Sequence, residues 1–152
     1  MPSADEPRSR VGDDPGAPLA GGCNCGAVRF EVTGPLERAS YCHCTRCQRR
    51  TGSAASAQAH PATDGLRILA GEHQLRAWKP EHGGEKWFCG RCGSALFACN
   101  PTHPDALGIR MGAFDRDPGI RPSVRQFVRY AAAWEPIPDD GLPRYPESRH
   151  TR

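Results

Sequence analysis

Eight cysteines constrain this chain of 152 residues more than anything else in it, because seven of them stand in three tight groups. Cys23-Asn24-Cys25 is a C-x-C pair, Cys42-His43-Cys44-Thr45-Arg46-Cys47 a C-x-C-x-x-C triplet, and Cys89-Gly90-Arg91-Cys92 a C-x-x-C pair. In C-x-C an extended backbone puts both side chains on one face. In C-x-x-C a tight turn does the same, helped here by Gly90 and Gly93. Each spacing lets sulfurs converge on one point about 2.3 Å from each, the Zn–S distance. One such pair is a weak signal, but three groups in one short chain are a strong one. The opening residues, MPSADEPRSRVGDDPGAP, lack the apolar run of an export signal, so the expected compartment is the reducing cytoplasm. Clustered thiols there mean metal more often than disulfides.

The division of the seven is a matter of ligand arithmetic. Cys23 and Cys25 with Cys89 and Cys92 would make a closed, structural zinc site. That leaves Cys42, Cys44 and Cys47, and three protein ligands with one open position are the mark of a catalytic zinc. The spacings also allow the opposite pairing, with Cys89 and Cys92 closing over the triplet. A fourth ligand could come instead from His43, His60 or Cys99. His43 suits that role least, since on an extended backbone it points away from its two cysteine neighbours. Disulfides are disfavoured because C-x-C closes a strained small ring. A redox C-x-x-C would call for a following helix and an α/β pattern, and neither is present. Cys99 sits in the apolar run Ala95-Leu96-Phe97-Ala98 and reads as a buried structural thiol.

The rest of the chain points to a mainly β domain with little helix. Seventeen Gly and fifteen Pro cut it into pieces too short for a helical bundle. Val28, Phe30 and Val32 alternate with Arg29 and Glu31, a strand of period two. Further strands are expected at Ser53 to His60, Glu85 to Phe88, Ala95 to Cys99, Leu107 to Phe114 and Val124 to Tyr130. Leu66 to Leu69 and Gln74 to Trp78 flank Gly71 as a hairpin would. One or two helical turns fit Thr45 to Arg50. Trp78, Trp87, Trp134 and Phe97 are expected in the core. Residues 1–19 read as a disordered leader, 20–146 as one zinc domain and 147–152 as a flexible tail, with the segment from Pro136 wrapping the domain. No run reaches the length of a membrane span. A net charge of +3, spread without aromatic–basic alternation, speaks against nucleic acid.

At its cysteine motifs the chain resembles the glutathione-dependent formaldehyde-activating (Gfa-like) enzyme family, which also takes in the centromere protein V group. The stretches that carry the resemblance are Gly22-Cys23-Asn24-Cys25-Gly26-Ala27-Val28-Arg29-Phe30, Cys42 to Cys47 with Thr51-Gly52-Ser53, and Phe88-Cys89-Gly90-Arg91-Cys92-Gly93-Ser94. The resemblance implies a β-tent of small antiparallel sheets stapled by zinc. It implies a structural zinc on Cys23, Cys25, Cys89 and Cys92, and a catalytic-type zinc on Cys42, Cys44 and Cys47, two per chain. The implied reaction joins glutathione and formaldehyde into S-hydroxymethylglutathione, a carbon–sulfur lyase chemistry.

Three thiolates on Zn²⁺ leave a centre of net charge −1, a poor hydrolytic Lewis acid that still favours an incoming thiolate over a thiol. The expected substrates are therefore a small-molecule thiol, glutathione or another low-molecular-weight one, and an aldehyde. Glutathione carries two carboxylates, and Arg46, Arg49, Arg50 and Arg91 lie beside the cysteines in sequence to receive them. Thr51 and Ser53 would either bond substrate or cap the short helix. The competing class is a non-catalytic zinc module that carries thiols or binds a macromolecule. A methionine sulfoxide reductase would need a reactive cysteine outside the metal sites, and only Cys99 is spare.

Overall fold

The computed structural model describes residues 16–62 and 64–150. Most of the expected leader, up to Pro15, lies outside the described residues. The chain runs β1 (Leu19–Gly22), β2 (Arg29–Val32), β3 (Leu36–Cys42), α1 (Thr45–Thr51), β4 (Ser56–Pro61) and β5 (Leu66–Ala70). It continues as β6 (Leu75–Trp78), β7 (Glu85–Cys89), β8 (Ala95–Asn100), β9 (His103–Arg110) and β10 (Arg125–Gln126). The protein is thus mainly β, with α1 the one α-helix among the described residues. That helix is too short to cross a membrane, and no other described helix is long enough.

Two sheets share the strands. The smaller has the order β1-β2-β5, and the larger the order β10-β3-β4-β9-β8-β7-β6. Every pairing is antiparallel except that of β10 with β3. The alternation in β2 sends Phe30 and Val32 inward, both fully buried. Phe30 meets Phe97 of β8 edge-to-face at 5.2 Å and Phe114 at 5.8 Å, which ties the small sheet to the large one. Ile109 lies opposite Phe97 in the β8–β9 ladder and closes the cluster with Leu96, Val28, Ala39 and Ala59. Each such large side chain contributes about 1.5–3 kcal/mol on burial. Cys23 and Cys89 belong to the same cluster, so one side of that cysteine group is anchored in the core while Cys92 is exposed.

Several local expectations are corrected. Gly71 does not turn a hairpin: β5 pairs with β2 in the small sheet, while β6 pairs with β7 at the edge of the large one. The chain crosses between sheets through Gly71 (φ 73°) and a 3-10 turn at Glu72–Gln74. β1 and β3 carry no clear apolar alternation and escaped the sequence reading. β3 is held by partners on both edges, β4 and β10, rather than by its own pattern. The strand expected at Ser53 to His60 begins only at Ser56, and the one from Leu107 ends at Arg110 in a 3-10 turn. The strand expected over Val124 to Tyr130 shrinks to β10, because Phe127 enters the left-handed region at φ 57° and a 3-10 turn follows.

Trp78 and Trp134 are not core residues, being 48% and 68% exposed. Arg46 covers Trp78 instead, 5.9 Å above its ring. Trp87 is half-buried and donates to Glu85 Oε2, whereas Phe97 is buried as expected. Cys99 is half-buried rather than enclosed, and burial raises its thiol. The C-terminal segment does wrap the domain without regular structure. Its backbone is laced to β10 and the turn after it, Arg125 N–H donating to Pro143 O and Phe127 N–H to Glu147 O.

Candidate metal centre

Two turns build the first cluster. Cys23 accepts the Gly26 N–H on its carbonyl, and Gly26 (φ 73°) lets the chain reverse toward Val28. Cys89 and Ser94 close the second turn, where Gly93 (φ 77°) donates to the Cys89 carbonyl. The Asn24 N–H donates to Ser94 Oγ at 2.9 Å, fastening one turn to the other. Cys23, Cys25, Cys89 and Cys92 thereby bring four sulfurs within 4.8 Å of one another. Cys23 and Cys25 are 3.5 Å apart, Cys25 and Cys89 3.9 Å. Four sulfurs held tetrahedrally on zinc would stand about 3.8 Å apart, so this donor set fits the metal. The Val28 N–H points at Cys23 Sγ from 3.2 Å, a bond that suits a thiolate. Although burial opposes it, hydrogen bonds from Ser94 lower the Cys92 thiol to about 6.

The second cluster sits where β3 runs into α1. Cys42 ends the strand, Cys44 is the N-cap of the helix and Cys47 occupies its first turn. Cys44 Sγ accepts the Cys47 N–H at 3.4 Å, so the residue that caps the helix also points its sulfur inward. Their three sulfurs lie within 4.8 Å of one another, and among the described residues no further His, Cys, Asp or Glu joins them. Hydrogen bonds from Cys42 and Cys44 pull the Cys47 thiol far below its ordinary value; burial opposes them, and Ser56 and the Arg110 charge add to the pull. Cys42 is held up in turn by its bonds to Cys44 and Cys47 and by burial.

His43 does not join the triplet. It is 4% exposed, and its Nε2 takes an N–H from Arg125 at 3.3 Å. Arg125 also lies 4.4 Å above the Tyr41 ring and pairs with Asp140 at 2.6 Å. Backbone bonds from Tyr41 and His43 to Val124 and Gln126 flank this contact. The end of β3, and with it Cys42, is thus clamped by β10.

Residues 18–130 match the family described as glutathione-dependent formaldehyde-activating enzyme. The chain belongs to this family. A Halomonas elongata protein named "Putative glutathione-dependent formaldehyde-activating enzyme" is 30% identical to it over 105 residues, 65% of this chain and 67% of that protein. A Rhodobacter sphaeroides protein of known crystal structure is 24% identical and superposes with a TM-score of 0.54, over 84% of this chain and 99% of that one. The latter likeness is one of fold.

In this formaldehyde-activating family member, both cysteine clusters assemble from the residues named by spacing, and the quartet closes on itself rather than over the triplet. The arginines fare differently. Arg46 and Arg49 are exposed, and Arg46 is spent on the His82 carbonyl at 2.6 Å. Arg91 is exposed as well. Arg50 turns inward on the helix face of Cys47, three residues away, and donates to the Trp87 carbonyl at 2.6 Å. Thr51 gives its hydroxyl proton to the Cys47 carbonyl at 2.8 Å, a back-bond within the helix, whose caps are Cys44 and Gly52.

A cavity of about 410 Å³ is lined by Asn24, Gly93 and Ser94, sequence neighbours of the quartet, by Arg50, Thr51 and Ser56, which adjoin the triplet on α1 and β4, and by Arg110; among the described residues no cysteine lines it. A larger depression of about 570 Å³ at Pro18, Thr33 and Arg116 touches neither cluster. Arg110 and Lys86 were missed in the sequence. Burial lowers the Lys86 ammonium while the triplet sulfurs draw it back up. The only trace of Arg110 in the sequence is a charge closing the apolar run from Leu107.

Proposed function

We propose that the protein is a zinc-dependent carbon–sulfur lyase that joins a low-molecular-weight thiol, glutathione in the first instance, to formaldehyde. The observation that carries this reading is a triplet of sulfurs without a fourth protein ligand among the described residues, in a member of this family. In our reading Cys23, Cys25, Cys89 and Cys92 hold a structural zinc and Cys42, Cys44 and Cys47 a second one. Bound there, zinc supplies an open position that favours a thiolate over a thiol.

The chain's own residues supply the rest. Cys42, Cys44 and Cys47 set the local charge, and the cationic wall of Arg50, Lys86 and Arg110 offsets it. Of the substrate contacts expected from the sequence, Arg50 and Thr51 border the cavity and keep that role in our reading; Arg46 and Arg49 do not border it. The bond made is S–C. The thiol sulfur attacks the carbonyl carbon, the C=O pair moves onto oxygen, and that oxygen takes up a proton to replace the one the thiol gave up. Nothing is oxidised or reduced. The reverse step is the lyase direction, and a reducing cytoplasm suits the free thiols it needs.

Exchange spectroscopy by NMR on glutathione and formaldehyde tests this. The purified protein with its metal should speed their equilibration over the uncatalysed rate, and metal analysis should find about two zinc per chain. No acceleration removes the reaction. A single tightly held zinc removes the open site and favours the non-catalytic module.

A further inference from the structure

We propose that the cavity lined by neighbours of both cysteine clusters is a carboxylate subsite, in which Arg110 and Arg50 together bind a carboxylate of the thiol substrate. The inference deepens the proposed function and rests on it. It moves the anion contacts to Arg110, a residue more than sixty positions from the triplet in sequence.

The first argument is an unmet demand for acceptors. Arg110 is 5% exposed, and one of its nitrogens, Nη1, donates to Gln58 Oε1 at 2.9 Å. Its Nε and Nη2 are buried without an acceptor, as is Nε of Arg50. Among the described residues neither guanidinium is in an ion pair, whereas buried Arg125 has Asp140. Among the described residues no acidic side chain lines the cavity. A buried and a half-buried cation lining one cavity without a carboxylate are unfavourable. Their mutual repulsion shows in Arg50, which burial and the Arg110 charge push down to about 10.

The triplet does not meet the demand. With a divalent metal bound, three thiolates carry a single net negative charge, against Arg50, Arg110 and Lys86. An incoming thiolate that also bears a carboxylate restores the balance. Small residues leave room for it, since Gly22, Ala55, Ala57, Gly93, Ala95 and Gly112 line the same space.

Strand register gives the geometry. Cys42 pairs with Ser56 across β3 and β4, and Gln58 pairs with Arg110 across β4 and β9. Cross-strand partners share a face, and so do residues two apart. Cys42, Ser56, Gln58 and Arg110 therefore project from one face of the large sheet. Ser56 and Gln58 are separated by about 7 Å along the strand. A thiol seated at the triplet reaches Arg110 when its carboxylate lies several bonds from its sulfur.

Calorimetry on the metal-loaded protein tests the subsite with three probes: 6-mercaptohexanoate, 6-mercaptohexanol and hexanoate. The wild-type protein should bind 6-mercaptohexanoate about tenfold or more tightly than 6-mercaptohexanol. Arg110→Met should erase that preference, Arg110→Lys should keep part of it, and Arg50→Met should weaken it. If Arg110→Met fails to fold, the wild-type ratio and Arg50→Met decide. Equal binding of the two thiols by the wild-type protein overturns the subsite and leaves the thiol reaction standing. A preference that survives both Arg50→Met and Arg110→Met overturns it too, as does failure of both carboxylates to bind. Hexanoate bound as tightly as 6-mercaptohexanoate, and lost in Arg110→Met, upholds the subsite while removing the thiol from the proposed reaction.

Discussion

The backbone of Gly71 lies directly against that of Ala27, so close that a Cβ on residue 71 would fall 1.9 Å from the Ala27 carbonyl oxygen. This contact marks the point where the chain leaves the small sheet for the large one. Gly71→Ala should cost about 2–4 kcal/mol, from the backbone clash added to a positive φ. Gly141 shares the φ of 73° but has open space around it. Gly141→Ala should therefore cost only about 1 kcal/mol. Urea unfolding of the two variants checks the difference.

Replacing a single cysteine should separate the two clusters by their roles. Cys89 ties its turn to residues at the start of the domain and is fully buried in the core. Cys89→Ser should lower stability by several kcal/mol, with loss of near-UV circular dichroism, because the metal that we propose this quartet holds would contribute its binding energy to folding. Cys47→Ser closes no long loop, since its partners are five residues away or fewer. That variant should keep most of its melting temperature while losing about one metal equivalent and the exchange activity. Metal analysis beside thermal melts reads both.

His60 makes stability fall with pH in a mildly acid window. Its Nδ1 is 2.8 Å from the Leu107 carbonyl, so the neutral ring donates there. Burial, with Arg38 beside it, pushes its pKa down to about 4. An unfolded histidine takes up its proton near 6.5, so between these values the unfolded state binds the extra proton. Stability present above pH 6.5 should thus be lost as pH falls toward 4, by up to about 3 kcal/mol. His60→Gln should reduce the slope of the unfolding free energy across that window, the remainder coming from His43, which burial and Arg125 also hold low. Asp117 and Asp140, whose carboxyls are held low by Arg121 and Arg125, contribute their losses only below it.

Asp140 balances Arg125, whose side chain is 8% exposed and which also meets Tyr41 and His43. Asp140→Ala leaves that cation without its anion, and the clamp on the end of β3 should loosen. Amide exchange is the sensitive measurement, because the His43 N–H is bonded to Gln126 O and the Tyr41 N–H to Val124 O. Both should exchange faster in the variant, with little change at Phe97 in the core.

Local chemistry was legible in the sequence. Metal-ligand spacing is a property of a few consecutive residues, so the three cysteine groups could be named before any fold was known. The strand at Phe30 was readable through its period of two, and the one or two helical turns expected from Thr45 stand where the structure has α1. Frequent Gly and Pro excluded long helices. The strands β1 and β3 were not readable, because pairing partners distant in sequence hold them rather than their own pattern.

Only the tertiary structure decided which groups meet. Spacing allowed Cys89 and Cys92 to close over either of the other groups, and the turn-to-turn bond from Asn24 to Ser94 settles it in favour of Cys23 and Cys25. Nearness in sequence suggested Arg46 and Arg49 as anion contacts, yet helical geometry turns them to solvent while Arg50 faces inward. Arg110 reaches the same cavity through the register of β4 with β9. The cysteines announce their chemistry because a ligand set is short-range. The cations around them do not, because burying charge depends on how strands from distant parts of the chain align.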